Sequence, residues 1–208
     1  MSYNYRLIYF NLRSRGEPIR LALHFAGVPF KDVRVPFKEW PSLKPKTPHG
    51  TLPILESDGW QLSESNSILR YIARRYGLEG VNEAQIAELD SLNEVIADIN
   101  NKCIPYWIIV AGIRRENSEV TKRLRQESIA TINAKLPVLE RSLGTARFLA
   151  GSERVNYVDF ALASLSETLE RLAGDELKRF EPALTAHRQR VYELPRVAEY
   201  LATRQDTY

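Results

Sequence analysis

The chain reads as an α/β domain followed by an all-α domain, and three observations predict this. Short β-rich apolar runs alternate with helical stretches up to about Tyr76. Beyond Gly80 only helical periodicity remains. With 208 residues, the chain is long enough for two small domains, each with its own core.

Taken in order, Arg6 to Phe10 predicts a strand and Glu17 to Phe25 a helix. Ile19, Leu21, Leu23 and Phe25 are among the apolar positions of that helix, and Gly27 is its stop. Lys31 to Val35 predicts a second short strand, followed by a loop with room for a short helix. Pro53-Ile54-Leu55-Glu56 and Trp60-Gln61-Leu62 flank Asp58-Gly59, a two-residue hairpin signal. Ser65 is placed to cap a helix that runs through Ile68, Leu69, Ile72 and Ala73 to a stop near Gly77. The order βαβ-ββα is that of a thioredoxin-like domain, expected over residues 1–79.

Residues 80–208 predict a helical bundle, with Tyr76 to Asn82 as the link. Its apolar periodicity runs through Ile86, Leu89, Leu92, Val95 and Ile99, then Leu124, Ile129, Ile132, Leu136 and Leu139, then Phe160, Leu162, Leu165 and Leu169. Asn156, with Asp159 three residues on, has the spacing of a capping device that opens a buried helix.

Composition narrows the function. Hydrophobic residues at 44% and charged residues at 26% describe an ordinary globular protein. Net charge is +3, but the bases are interleaved with acids, as in Arg114-Arg115-Glu116, so no nucleic-acid arm is expected. Met1 to Arg6 lacks the form of a secretion signal, and no apolar run approaches the roughly 20 residues of a membrane span. The single cysteine, Cys103, has no partner for an internal disulfide and no basic neighbour beyond Lys102; it reads as buried and inert. A cytoplasmic protein without membrane contact is the expectation. His24, His49 and His187 are scattered, so no metal site is expected.

Chemistry concentrates where the first strand ends. Leu7-Ile8-Tyr9-Phe10 breaks at Asn11 and passes through Arg13, Ser14, Arg15 and Gly16 into a helix, whose first N–H groups and dipole favour an anion. A thioredoxin-like redox enzyme carries cysteine in that turn. Here it reads Asn11-Leu12-Arg13-Ser14, which excludes thiol redox chemistry by the protein at this position and suggests that the substrate brings the sulfur.

Several motifs then match in order and spacing over essentially the whole chain. They are Tyr9-Phe10-Asn11 with Arg13 and Arg15, Glu39-Trp40-Pro41 with Lys44, Pro48-His49-Gly50-Thr51-Leu52-Pro53-Ile54-Leu55, and Glu64-Ser65 followed by Ile68-Leu69-Arg70-Tyr71. The second half adds Asn156-Tyr157-Val158-Asp159-Phe160 and the stretch from Thr203 to Tyr208. With these the chain resembles the cytosolic glutathione S-transferases, and among them the sigma class.

The resemblance implies a site. Tyr9 would donate a hydrogen bond to the glutathione sulfur, stabilising a thiolate whose free thiol, near pKa 8.5, is mostly protonated at neutral pH; Arg15 would add charge to the same pocket. A cis Leu52–Pro53 bond would turn the Leu52 backbone outward to pair with the peptide. Ser65 would take the γ-glutamyl carboxylate and Glu64 the ammonium, while Trp40 and Lys44 would hold the glycyl carboxylate. Asp98 would reach the ammonium in a partner subunit, which makes the expected unit a homodimer. Tyr106, Trp107, Val110, Ala161, Leu165 and Tyr208 would line the place of a hydrophobic electrophile.

The implied activity is glutathione conjugation to hydrophobic electrophiles, with glutathione-dependent prostaglandin isomerase or peroxidase activity as companions. A non-catalytic, crystallin-like or ligand-carrying relative is the alternative. Val95 and Ile99 replace two of the acids that bind a divalent cation in vertebrate sigma enzymes, so glutathione is expected to act without a metal.

Overall fold

A computed structural model describes residues 4–173 and 181–207. A four-stranded mixed sheet is ordered β2-β1-β3-β4, with β1 at Tyr5–Phe10, β2 at Phe30–Val35, β3 at Ile54–Ser57 and β4 at Trp60–Ser63. β1 runs parallel to β2, Tyr5 opposite Phe30 and Phe10 opposite Val35, and antiparallel to β3, with Ile8 opposite Ile54. β3 turns back into β4 through Asp58-Gly59, both at positive φ (41° and 90°), the conformation that matches a hairpin's twist. The central strands are the apolar ones: Leu7 and Leu55 are fully buried.

α1 (Glu17–Phe25) joins β1 to β2 and buries Ile19, Leu21, Ala22 and Leu23. Its end is closed by Gly27 at φ 65°, with the Val28 N–H donating to the Leu23 carbonyl. A short α2 (Trp40–Leu43) sits between two 3-10 turns in the expected loop. α3 (Ser65–Tyr76) follows β4 and packs against α1 through a stripe of Ile68, Leu69, Ile72 and Ala73. The cap position of α3 is one residue earlier than the sequence suggests. Glu64 occupies it and Ser65 is the first helical residue.

The remaining helices are α4 (Glu83–Val110), α5 (Ser118–Leu143), α6 (Tyr157–Ala173), α7 (Glu181–Tyr192) and α8 (Pro195–Thr203). Asn82 and Asn117 cap α4 and α5 by accepting from the N–H groups of Gln85 and Val120. The device before α6 forms as its spacing predicts. Asp159 accepts from the Asn156 N–H at 2.8 Å, and Asn156 accepts from the Val158 N–H at 3.0 Å.

The chain forms two compact units, Met1–Glu79 with Tyr192–Tyr208, and Gly80–Val191. In the first, α8 lies on α1, where the Tyr200 ring stacks on His24 at 4.2 Å. In the second, α4 packs on α5 and α6 around Leu92, Ile96, Ile99, Ile132, Leu136 and Phe160. Among the described residues no helix is long and apolar enough to cross a membrane.

Candidate active site

The register of the sheet assembles the site in the first unit. Ile8 pairs with Ile54 and Ile54 with Ser63, so the exit of β1, the entrance of β3 and the exit of β4 share one edge. Tyr9, Pro53 and Glu64 each stand one residue beyond those pairs. Three chain segments therefore present Tyr9, the Leu52–Pro53 bond and the start of α3 side by side.

Tyr9 is 5% exposed, in a cluster with Ile8, Leu12, Val35, Leu52 and Ile54 that Phe10, Trp40 and Leu43 flank. After β1 the chain tightens into a 3-10 turn at Ser14–Gly16, with Ser14 at φ 34°. Burial raises the Tyr9 phenol above its ordinary value of 10.0; a hydrogen bond with the Ser14 side chain, the Arg15 charge and backbone, and the Arg20 charge offset part of this. The phenol therefore stays protonated at neutral pH and is a hydrogen-bond donor. Arg15 is half-buried beside it.

Trp40 and Lys44 lie on the segment after β2. The Trp40 ring stands edge-on to Phe10 at 5.5 Å, half-buried, and Lys44 is exposed at the start of a 3-10 turn. Leu52–Pro53 is cis, as the sequence suggests. Glu64 is exposed, with its Oε1 3.4 Å from the Thr51 hydroxyl and 3.8 Å from His49 Nδ1. Its backbone has φ 71° and ψ 115°, a strained region for a residue with a side chain, and such strain clusters at functional sites. The Glu64 side chain makes no capping hydrogen bond to α3. The first intrahelical bond runs from the Ile68 N–H to the Glu64 carbonyl, so the N–H groups of Ser65, Asn66 and Ser67 have no helical acceptor and form an anion-accepting end.

The other expected site residues belong to the second unit or lie outside the described residues. Asp98 is exposed on α4 and accepts from Lys135 Nζ at 2.7 Å. Tyr106 is half-buried and Val110 is 44% exposed, while Trp107, Ala161 and Leu165 are buried. Tyr208 lies outside the described residues. Cys103 is buried, and desolvation pushes its thiol up to about 11.

A charge network behind Tyr9 was not foreseen. The Glu17 carboxylate, fully buried in the first turn of α1, accepts from Arg20 Nη1 at 3.2 Å, Arg204 Nη1 at 2.8 Å and the Tyr200 hydroxyl at 3.1 Å. Arg20 Nη1 also donates to the Leu12 carbonyl at 2.8 Å, and Arg20 Nε to Asp32. Its guanidinium lies 5.9 Å from the centre of the Tyr9 ring. The available signal was an acid and a base three residues apart in an otherwise apolar helix.

Two family models match. One, for the glutathione S-transferase N-terminal domain, covers residues 16–80; the other, for the glutathione S-transferase C-terminal domain, covers residues 106–204. Glutathione S-transferase 1 of Ascaris suum is 34% identical over 205 residues, 98% of each chain. The solved glutathione S-transferase of Ascaris lumbricoides superposes with a TM-score of 0.86 at 33% identity, covering 98% of each chain. A structure of prostaglandin synthase D of Nilaparvata lugens superposes with a TM-score of 0.84 at 27% identity, covering 97% of this chain and 98% of that one. The chain belongs to the glutathione S-transferase family.

Proposed function

We propose that the chain binds glutathione at the sheet edge of its first unit and directs the glutathione thiolate at hydrophobic electrophiles, as a sigma-class transferase. The observation that carries this is the buried Tyr9 phenol, set beside the cis Leu52–Pro53 bond and the start of α3 at the end of a strand that has no cysteine in its turn. An O–H donor aimed at sulfur lowers the thiol pKa, and each unit is worth about 1.4 kcal/mol.

The residues suit a tripeptide with two carboxylates and an ammonium. The uncapped start of α3, with Ser65, takes one carboxylate, and the Glu64 carboxylate meets the ammonium. Trp40 and Lys44 take the second carboxylate, and the Leu52 backbone beside Pro53 pairs with the peptide. Arg15 adds positive charge near the sulfur. Nucleophilic displacement then joins sulfur to the electrophilic carbon while the leaving group departs.

The finer reading follows the sigma pattern: a cytoplasmic homodimer in which Asp98 of each subunit reaches the partner's glutathione. The likeness to the prostaglandin synthase D of Nilaparvata lugens supports testing prostaglandin isomerisation beside conjugation. Domain roles follow as well, with residues 1–79 as the glutathione-binding domain and residues 80–208 completing the electrophile pocket through Tyr106, Val110, Ala161, Leu165 and Tyr208.

Glutathione-affinity retention followed by chlorodinitrobenzene conjugation tests the proposal. Wild type is retained and turns over; Tyr9→Phe is retained and loses about 10²-fold in kcat/KM. Retention without turnover by wild type overturns the enzyme reading, and equal rates in both proteins overturn the role of Tyr9.

A further inference from the structure

Gly16 closes the 3-10 turn after β1, buried, at φ −82° and ψ −24°. That is ordinary right-handed backbone, open to residues with a side chain. Conformational freedom therefore does not explain a glycine at this position. Space does. A Cβ on Gly16 would lie 2.6 Å from Tyr9 Cδ1, 3.0 Å from Tyr9 Cγ and 3.2 Å from Arg20 Nη1.

Neither neighbour is free to move aside. Cγ lies on the axis of ring rotation, so turning the ring about Cβ–Cγ relieves only the Cδ1 approach, and the ring packs in a cluster with Leu12 and Leu52, with Phe10 at 5.7 Å. The Tyr9 backbone is held opposite Arg34 of β2, and its neighbour Ile8 opposite Ile54 of β3. Arg20 Nη1 is held by the Leu12 carbonyl and Glu17.

We infer that Gly16 is a positioning residue: the missing side chain is the seat of the Tyr9 ring and so sets where the Tyr9 hydroxyl meets the glutathione sulfur. The inference rests on the proposed role of Tyr9. A methyl group at position 16 pushes the ring from its stem, and the hydroxyl, at the far end of the lever, moves furthest. A shift of about 1 Å at a reacting group costs on the order of 10²-fold in rate.

The test is a double-mutant cycle of Gly16→Ala and Tyr9→Phe. It reads chlorodinitrobenzene turnover, glutathione binding, and the pKa of bound glutathione from thiolate absorbance. Gly16→Ala is expected to lower kcat by about tenfold or more and to raise the bound thiol's pKa toward the free value, with glutathione KM changed less than kcat. In the Tyr9→Phe background, where no hydroxyl remains to misplace, Gly16→Ala is expected to cost no more than about twofold.

A wild-type thiol pKa in Gly16→Ala, or an equal loss in both backgrounds, overturns the inference while a deficient Tyr9→Phe leaves the role of Tyr9 standing. A fully active Tyr9→Phe overturns both. Should Gly16→Ala fail to fold, the double variant Gly16→Ala/Tyr9→Ala decides the matter: recovery of folding supports the ring seat, and no recovery overturns it.

Discussion

The Arg13 guanidinium and the Asp206 carboxylate, 193 residues apart, lie 2.6 Å from one another. The Arg13 side chain is 8% exposed and the Asp206 side chain 90% exposed, so the acid reaches in from solvent to a buried base beside the Tyr9 turn. Asp206→Asn is expected to cost less than about 1 kcal/mol of global stability, because one partner is fully solvated. Locally the effect is larger: amide hydrogen exchange of residues 204–207 rises about fivefold. Unchanged exchange there means that the pair does not hold this segment.

Glu17 carries more. Glu17→Ala takes one of two carboxylate partners from the buried Arg20 guanidinium, which keeps Asp32, and removes the Glu17 contact of the nearly buried Arg204; a loss of about 3 kcal/mol is expected in urea unfolding. Tyr200→Phe removes one donor to the same carboxylate and costs about 1.5–3 kcal/mol. The two losses are less than additive, because both act through one carboxylate. A Glu17→Ala loss below about 1 kcal/mol contradicts this account.

Asp159 in the second unit holds three groups at once. Its oxygens accept from the Leu149 N–H at 2.9 Å and the Asn156 N–H at 2.8 Å, and His187 Nε2 lies 2.9 Å away, with no solvent access at Asp159 or His187. Asp159→Ala orphans all three and is expected to cost about 3 kcal/mol or more, read from the midpoint of thermal unfolding. A loss that matches an ordinary exposed cap, about 1 kcal/mol, refutes the cooperative reading.

Alkaline pH acts on four acids whose folded forms resist ionisation. Burial moves Cys103 from 9.0 up to about 11 and raises Tyr5, Tyr9 and Tyr200 above 10.0; hydrogen bonding adds to this at Tyr5, and the Glu17 carboxylate at Tyr200. Each binds its proton more tightly when folded, so its contribution is complete below the unfolded pKa and declines as pH rises through the folded one. Urea midpoints are therefore expected to be insensitive to these groups up to about pH 9 and to fall above it. Cys103 is expected to react with disulfide reagents only after unfolding. A midpoint that stays constant to pH 10.5, or rapid labelling of the native thiol at neutral pH, contradicts the burial described for these groups.

Features that depend on neighbours in sequence were legible before the structure. Asp58-Gly59 gives its hairpin, Glu17–Phe25 its helix, and Asn156 with Asp159 its cap, because each interaction closes within a few residues. The edge that carries Tyr9, Pro53 and Glu64 joins segments far apart in sequence, and the expectation that they share a site came from the family resemblance and not from local pattern. Pairings of long separation were not legible: Arg13 with Asp206 and Glu17 with Tyr200 leave no periodic trace. The cap of α3 was misplaced by one residue because a glutamate at positive φ runs against local preference, and only the surrounding fold imposes it. α4 continues through Pro105 to Val110, well past the periodicity that ends at Ile99, because its packing outweighs a local breaker. The space at Gly16 was also invisible, since a missing side chain acquires meaning only from the ring that fills its place.

The seam between α1 and α8 also bears on synthesis. Glu17 and Tyr200 are 183 residues apart, so at typical translation speeds Glu17 is made about ten to forty seconds before its phenol partner. Throughout that interval the nascent sheet unit shows water a carboxylate and a guanidinium where the finished protein has a closed surface. An apolar seam would expose a sticky face for the same time; ions wait in water at little risk. The charge network at Glu17 is thus suited to a module whose two parts meet only long after the first is made.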